Sequence, residues 1–263
     1  MLMNNSLFNL ENNVVLITGA TGFLGRALCI GLADLGAKVL VNSRCSNKAN
    51  SLVDEINCSG GSAEPAVFDV TDLKSIQGYF DNYTGELTSI VNNAYAGGGS
   101  TIESAKSNEY IDSYDIVMVA AHNLFTKALP KLRASVKNKY PTSVINIASM
   151  YGIVSPDIEM YESPKHTNPP FYGAAKAALI QWTKYGACEF GKEDIRFNSI
   201  SPGPFPNLSK NEEDFVLKLS KKVPMQRVGS ADEIVGPVAF LLSSASSFVN
   251  GANISVDGGW TIW

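Results

Sequence analysis

Seven short apolar runs punctuate the chain, and helix-length amphipathic stretches separate them. The runs predict strands over Val14–Thr18, Lys38–Asn42, Ala63–Phe68, Ser89–Val91, Ser143–Ala148, Arg196–Ile200 and Asn253–Val256. Between them, helices are predicted over Phe23–Leu35, Asn47–Asn57, Leu73–Tyr83, Tyr110–Val136 and Tyr172–Gly191. Near-continuous apolar strands are buried on both faces, so the alternation implies a mostly parallel sheet with helices on either side. No repeat, linker or low-complexity tract interrupts it. The expectation is one doubly wound α/β domain over residues 1–263, with a seven-stranded sheet.

Two later helices are legible from their ends. Ser230-Ala-Asp-Glu233 reads as a capping box before an apolar run that reaches Leu242. Asn211-Glu-Glu-Asp214 precedes Lys218, Lys221 and Lys222, which matches a helix dipole at both ends. That second segment reads either as a solvated surface helix or as a flap, around 204–224, over a substrate.

Composition narrows the function classes. Hydrophobic content of 45% and charged content of 17% describe a soluble globular protein, and a net charge of -4 argues against a nucleic-acid surface. No apolar stretch reaches the roughly 18 residues a bilayer span needs, so no membrane partner is expected. Met1-Leu-Met-Asn-Asn-Ser6 lacks the features of a signal peptide, which suggests a cytoplasmic protein. Cys29, Cys45, Cys58 and Cys188 are scattered without metal-site spacing and read as free thiols, with a disulfide left open. His122 and His166 are the only histidines, and no metal is expected.

The chemistry concentrates in Tyr172-Gly-Ala-Ala-Lys176, with Ser149 upstream at the end of an apolar run. Residues four apart on a helix share a face, and an ammonium near a phenol favours the phenolate. That would bring a weak acid toward working pH, while a serine hydroxyl held a substrate oxygen beside it. The same spacing recurs as Tyr161-Glu-Ser-Pro-Lys165, but Pro164 keeps Tyr161 out of any helix that includes Lys165. Tyr172 instead opens a run of good helix formers behind two prolines. Tyr172 and Lys176 are therefore taken as the pair, and Tyr161 as a loop residue.

A cofactor site is suggested further upstream. Strand Val14–Thr18 runs into Gly19-Ala-Thr21-Gly22-Phe23-Leu24-Gly25 and then a helix, the context in which glycines let a backbone approach a pyrophosphate. The second strand ends Val41-Asn42-Ser43-Arg44 without the carboxylate that usually holds an NAD ribose. Arg44, helped by Ser43, would suit a 2′-phosphate, so NADP(H) is the expected cofactor and NAD(H) the alternative.

These motifs together resemble the short-chain dehydrogenases/reductases, in their single-domain branch, over nearly the whole chain. The Gly-rich turn, Asp69-Val70, Asn92-Asn-Ala-Tyr95, Ser149, Tyr172-x-x-x-Lys176 and Pro202-Gly203 follow in the family's order. The resemblance implies a Rossmann-like fold, with Tyr172 as acid–base, Lys176 binding the nicotinamide ribose and lowering the phenol pKa, and Ser149 orienting the substrate. It further implies that Asp69 and Val70 border the adenine, Asn93 and Ala94 line the cleft, and Pro202 and Gly203 flank the nicotinamide. A homo-oligomer, dimer or tetramer, on the long helices is implied as well.

Four departures stand out. The glycines follow the spacing of the larger two-domain branch, Tyr95 replaces a glycine, and Val117 stands where the family has a catalytic asparagine. The Ser149–Tyr172 interval is also long: its insertion, Ile153–Phe171, carries Asp157, Glu159, Tyr161, Glu162, Lys165 and His166. Such a loop either lines the substrate pocket, its polar groups suiting a hydroxylated or charged substrate, or is a solvated excursion. With Tyr95 and the ending Val256-Asp-Gly-Gly-Trp-Thr-Ile-Trp263 it resembles a subgroup of bacterial surface-sugar pathways.

The leading expectation is an oxidoreductase moving a hydride between NADP(H) and a carbonyl or secondary alcohol, with a sugar or sugar derivative as candidate substrate. The glycine spacing keeps a nucleotide-sugar epimerase or dehydratase open. Tyr95 and Val117 keep a non-catalytic dinucleotide-binding protein open.

Overall fold

The computed structural model describes residues 5–263; Met1–Asn4, part of the stretch read for a signal peptide, lie outside them. Every predicted apolar run forms a strand: β1 (Val14–Ile17), β2 (Lys38–Ser43), β3 (Ser62–Val67), β4 (Ser89–Asn92), β5 (Thr142–Ile147), β6 (Ile195–Pro202) and β7 (Asn253–Val256). All neighbours pair in parallel, in the order β3-β2-β1-β4-β5-β6-β7. The winding reverses between β1 and β4, and at such a switch point a crevice opens beyond the carboxyl ends of the strands.

Alternating side chains feed two cores, one on each face of the sheet. Val15, Ile17, Val39, Val41, Val91 and Ile145 pack on one side, against Leu28 and Leu32 of α1 (Phe23–Asp34). Leu16, Leu40, Ile90 and Val144 pack on the other, against Ile76 of α3 (Leu73–Asn82), which follows α2 (Ser46–Cys58) along the chain. Burying each such side chain is worth about 1.5–3 kcal/mol, so both helical layers are held by the same strands. The edge strand β3 accommodates Pro65, whose missing amide is tolerated at a sheet edge. The four cysteines are free thiols, with Cys29 buried and the others exposed.

The helix expected over Tyr110–Val136 is compound. It comprises α4 (Ser107–Tyr114), a π turn over Asp115–Val119, and α5 (Ala120–Lys137). It starts early because the Lys106 amide donates to the Glu109 carboxylate at 2.7 Å. In the π turn the Ala120 amide reaches back to the Asp115 carbonyl, adding one residue to the repeat. No proline or glycine marks the Asp115–Val119 turn, which is why the sequence reads as one helix.

Helix α6 (Pro170–Phe190) starts with proline in its first turn, behind Pro169 at its N-cap. A buried polar chain fastens it to the sheet. Asn92 Nδ2 donates to Asn146 Oδ1 at 2.8 Å, Asn146 Nδ2 to Thr183 Oγ1 at 2.8 Å, and the Thr183 hydroxyl to the Leu179 carbonyl at 2.8 Å. Thr183→Val removes the acceptor of the Asn146 amide at a fully buried position. A loss of about 1–3 kcal/mol is expected in urea unfolding, with Thr183→Ser close to wild type. Equal stability of the valine variant would show that the chain does not anchor α6.

After α6 come α7 (Glu213–Lys222), within the segment expected as a flap, and α8 (Val235–Leu242), preceded by the capping-box turn in which the Ser230 amide donates to Glu233 at 3.0 Å. The insertion before α6 holds one helical turn, Ile158–Met160. It is tied to α7 by an Asp157–Lys222 ion pair and by the Tyr161 and Phe215 rings, 5.7 Å apart.

Candidate active site

The Gly-rich turn lies at the switch point, where β1 hands over to α1. Gly19 adopts φ +61°, which only glycine takes without strain, and a Cβ on Gly25 would sit 2.2 Å from the Gly19 carbonyl oxygen. No side chain caps the start of α1 at Gly22. The first amides of the helix thus border an open cleft, as binding of a diphosphate requires. Asn93 ties the loop after β4 to this turn, donating through Nδ2 to the carbonyls of Thr18 at 3.0 Å and Gly19 at 3.3 Å. The Thr18 hydroxyl accepts in return from the amides of Asn93 and Ala94. Asn93 is therefore a brace as well as a wall of the cleft.

Ser149 follows β5 and accepts a hydrogen bond from the Tyr151 amide at 3.1 Å. Tyr172 and Lys176 face it from the first turns of α6. The Lys176 Nζ donates to the Ile147 carbonyl at 2.6 Å and lies 5.7 Å from the centre of the Tyr172 ring. Burial pushes the Lys176 ammonium down to about 7. Burial also raises the Tyr172 phenol above its ordinary value, although a hydrogen bond with Ser149 pulls it partly back. The sequence led us to expect a phenol lowered by its lysine. The structure corrects this for the cofactor-free pair: no counter-charge is buried with them, so desolvation disfavours the charged form of each.

One cleft of about 700 Å³ is lined by all the residues singled out from the sequence for catalysis and cofactor binding, from Gly19 at the turn to Gly203 after β6. At its outer end lie Ser43 and Arg44, the latter with 74% of its side chain exposed and Nη1 3.7 Å from Asp69 Oδ2. Burial raises the Asp69 carboxyl, but hydrogen bonds from the Thr71 amide and hydroxyl, together with Arg44, hold it below its usual range. Lys48, on the first turns of α2, lines the same end. It escaped the sequence reading, although its place four residues after Arg44 was a signal. Asn42, Thr71, Ile116 and Phe205 also line the cleft, and no sequence pattern marked them.

The insertion behaves differently from one of its two expected roles. Glu159, Glu162, Lys165 and His166 are exposed, Asp157 pairs with Lys222, and none of them lines the cleft. Its contribution near the catalytic residues is apolar and aromatic. Met160 and Tyr161 pack in a cluster with Met150, Tyr151, Trp260 and Tyr172 itself, and the Tyr151 and Tyr161 hydroxyls lie 3.0 Å apart. Tyr161 is a loop residue, as read from the sequence, but one at the edge of the site. Val117, on the π turn, is buried beside Tyr95 and borders a void of about 10 Å³ next to Lys176.

The glycine cradle and the uncapped helix start fit a dinucleotide, with Arg44 and Lys48 at the outer end of its cleft. Comparison with known proteins agrees with this geometry. The family model described as enoyl-(acyl carrier protein) reductase matches residues 19–261. A tropinone reductase homologue of Arabidopsis thaliana is 32% identical over 97% of this chain and 94% of its own. The 3-oxoacyl-[acyl-carrier-protein] reductase of Thermotoga maritima is 30% identical over 96% of this chain and 99% of its own. The crystal structure of a gluconate 5-dehydrogenase from Burkholderia cenocepacia, in complex with NADP and tartrate, superposes with a TM-score of 0.86 at 28% identity, covering 98% of each chain. The chain belongs to the short-chain dehydrogenase/reductase family and is an NAD(P)-dependent oxidoreductase of that family.

Proposed function

We propose that this protein moves a hydride between NADP(H) and the carbonyl or secondary alcohol of a compact hydroxylated substrate, a sugar or sugar derivative. The observation that carries this reading is a single cleft with Ser149, Tyr172 and Lys176 at one end and Ser43, Arg44 and Lys48 at the other. The amides of the Thr21–Gly25 segment would hold the diphosphate, Asp69 and Val70 the adenine, and Pro202 and Gly203 the nicotinamide side. When bound, the nicotinamide supplies or accepts the hydride. Ser149 would donate to the substrate oxygen, and Tyr172 would give that oxygen its proton in reduction and take it back in oxidation. Lys176 would bind the adjacent ribose, a contact that favours its charged form.

The sugar reading is supported by the aromatic cluster of Tyr151, Tyr161 and Trp260 beside Tyr172, whose rings can cover C–H faces. It is also supported by the likeness to gluconate 5-dehydrogenase. A homo-oligomer is part of the proposal, supported by exposed Ile111, Tyr114 and Val119 along α4 and the π turn, and by exposed Tyr185 on α6.

Steady-state kinetics with both cofactors test the outer end. A charge-assisted contact is worth about 1.5–3 kcal/mol at best, and exposure of Arg44 places it toward the lower end. Arg44→Ala should raise the KM for NADPH about tenfold and leave that for NADH unchanged. Wild-type kcat/KM equal for the two cofactors would overturn the phosphate assignment.

A further inference from the structure

We propose that Tyr95 is a positioning residue whose ring face holds the Lys176 ammonium and whose edge sets the Tyr172 phenol. The inference rests on the hydride-transfer reading, in which those two groups work together. Three observations carry it.

The first is the poverty of polar support around Lys176. The ammonium has three hydrogens, and one of them is donated to the Ile147 carbonyl at 2.6 Å. Behind it, Val117 offers only methyl groups, and the void there, about 10 Å³, sits at the lower limit for a single water. No carboxylate borders that void. Asp69 is the acidic residue lining the cleft, at the far end beside Arg44.

The second is the placement of the rings. Lys176 Nζ lies over the Tyr95 ring, 5.9 Å from its centre, and over the Tyr172 ring at 5.7 Å. Both fall within the range of cation–π attraction, which strengthens when the cation is desolvated. The Tyr95 and Tyr172 rings meet edge-on, with centres 4.6 Å apart and planes at 62°. Tyr95 is fixed from behind by Val117, Met118, Ala121 and Leu179.

The third is that the Tyr95 hydroxyl is engaged away from the chemistry. It is buried next to the Ser113 hydroxyl, which donates to the Phe171 carbonyl at 3.3 Å, and a Cβ on Gly97 would lie 2.3 Å from it. Burial pushes this phenol up to about 12, so it stays neutral through the working range of its neighbours. The useful part of the side chain is the ring.

The groups facing Lys176 are then Tyr172 on its own helix, Tyr95 from the loop after β4, the Ile147 carbonyl from β5, Ile116 and Val117 from the π turn, and neutral Thr18 and Asn92 at the void. Only the two tyrosines titrate.

The test follows the charge of Lys176 directly, by NMR titration of its side-chain methylene beside the ammonium in the cofactor-free protein, assigned against Lys176→Arg. Tyr95→Phe keeps the π face, whereas Tyr95→Leu and Tyr95→Met fill the space without one. Lys176 in Tyr95→Phe should titrate with wild type, while in the leucine and methionine variants it should titrate about one pH unit lower. The alkaline limb of kcat/KM for carbonyl reduction should move the same way in those two variants, because the working state carries both protons. If both aliphatic variants titrate with wild type, or if phenylalanine moves with them, Tyr95 is only a filler and the proposal is overturned. Absence of any turnover in the wild-type enzyme would remove the hydride-transfer reading, while the titration still decides whether the ring holds the charge.

Discussion

Tyr172→Phe is expected to lower kcat for carbonyl reduction by about 10²–10⁴-fold, the usual worth of a positioned general acid. The argument is geometric before it is electrostatic. Tyr172 lies in the cleft between Ser149 and Lys176, and Ser149, although a neighbour able to donate a hydrogen bond, is a much weaker acid than a phenol and cannot supply the proton. The substitution removes one hydroxyl and its bond with Ser149, so stability should fall by no more than about 1 kcal/mol. NADPH affinity, measured by fluorescence titration, should be close to wild type. The pH dependence has a definite sign. Burial raises the phenol, and reduction needs it protonated, so the phenol does not limit reduction at neutral pH, and the alkaline decline of kcat/KM should follow Lys176, the lower of the two groups. Tyr161→Phe is the control: it lies at the edge of the same cluster, yet its hydroxyl meets that of Tyr151, so only a small change is expected. A Tyr172→Phe enzyme within tenfold of wild type would remove the phenol from the chemistry.

How much of this was legible in the sequence depends on the range of the interactions involved. The strands were, because a buried parallel strand must be apolar on both faces, and β1 shows it: Val15 and Ile17 enter one core, Leu16 the other. The Gly-rich turn and the Tyr172–Lys176 pair were, because each requirement is local, set by φ at Gly19 and by helical spacing at α6. What was not legible depends on residues far apart meeting. The Asn92–Asn146–Thr183 chain joins two strands and a helix, and three ordinary polar residues give no sign of it beforehand. Tyr95 and Val117 read as two separate departures from a family pattern, whereas in the fold they are in one cluster beside Lys176. The sign of the phenol's shift was misjudged for a similar reason: spacing shows that a cation is near, but only the folded molecule shows how little water or counter-charge accompanies it.

Gly25→Ala should be nearly as damaging to activity as loss of the phenol, by a different route. Two effects compete at this position. Gly25 is the third residue of α1, and alanine there gains about 1 kcal/mol of helix propensity. Against that, its Cβ would stand 2.2 Å from the Gly19 carbonyl oxygen and 2.9 Å from the Ala20 Cα, both backbone atoms that no rotamer change can withdraw. Overpacking of this kind costs about 1–3 kcal/mol, so the clash wins and the turn must move. The displaced segment carries the amides proposed to hold the diphosphate, and it is braced to the loop after β4 by Asn93. Misplacement of a reactant by about 1 Å costs on the order of 10²-fold in rate. The expected result is a folded protein with a lowered Tm, an NADPH affinity reduced at least tenfold, and kcat/KM down by about 10²-fold. Gly22→Ala provides the contrast, since its Cβ would lie 3.2 Å from the same oxygen, a contact relieved by a few tenths of an ångström. If both alanine variants bound NADPH as wild type does, the close approach of Gly25 to Gly19 would have no part in cofactor binding, and the diphosphate would have to be held elsewhere in the cleft.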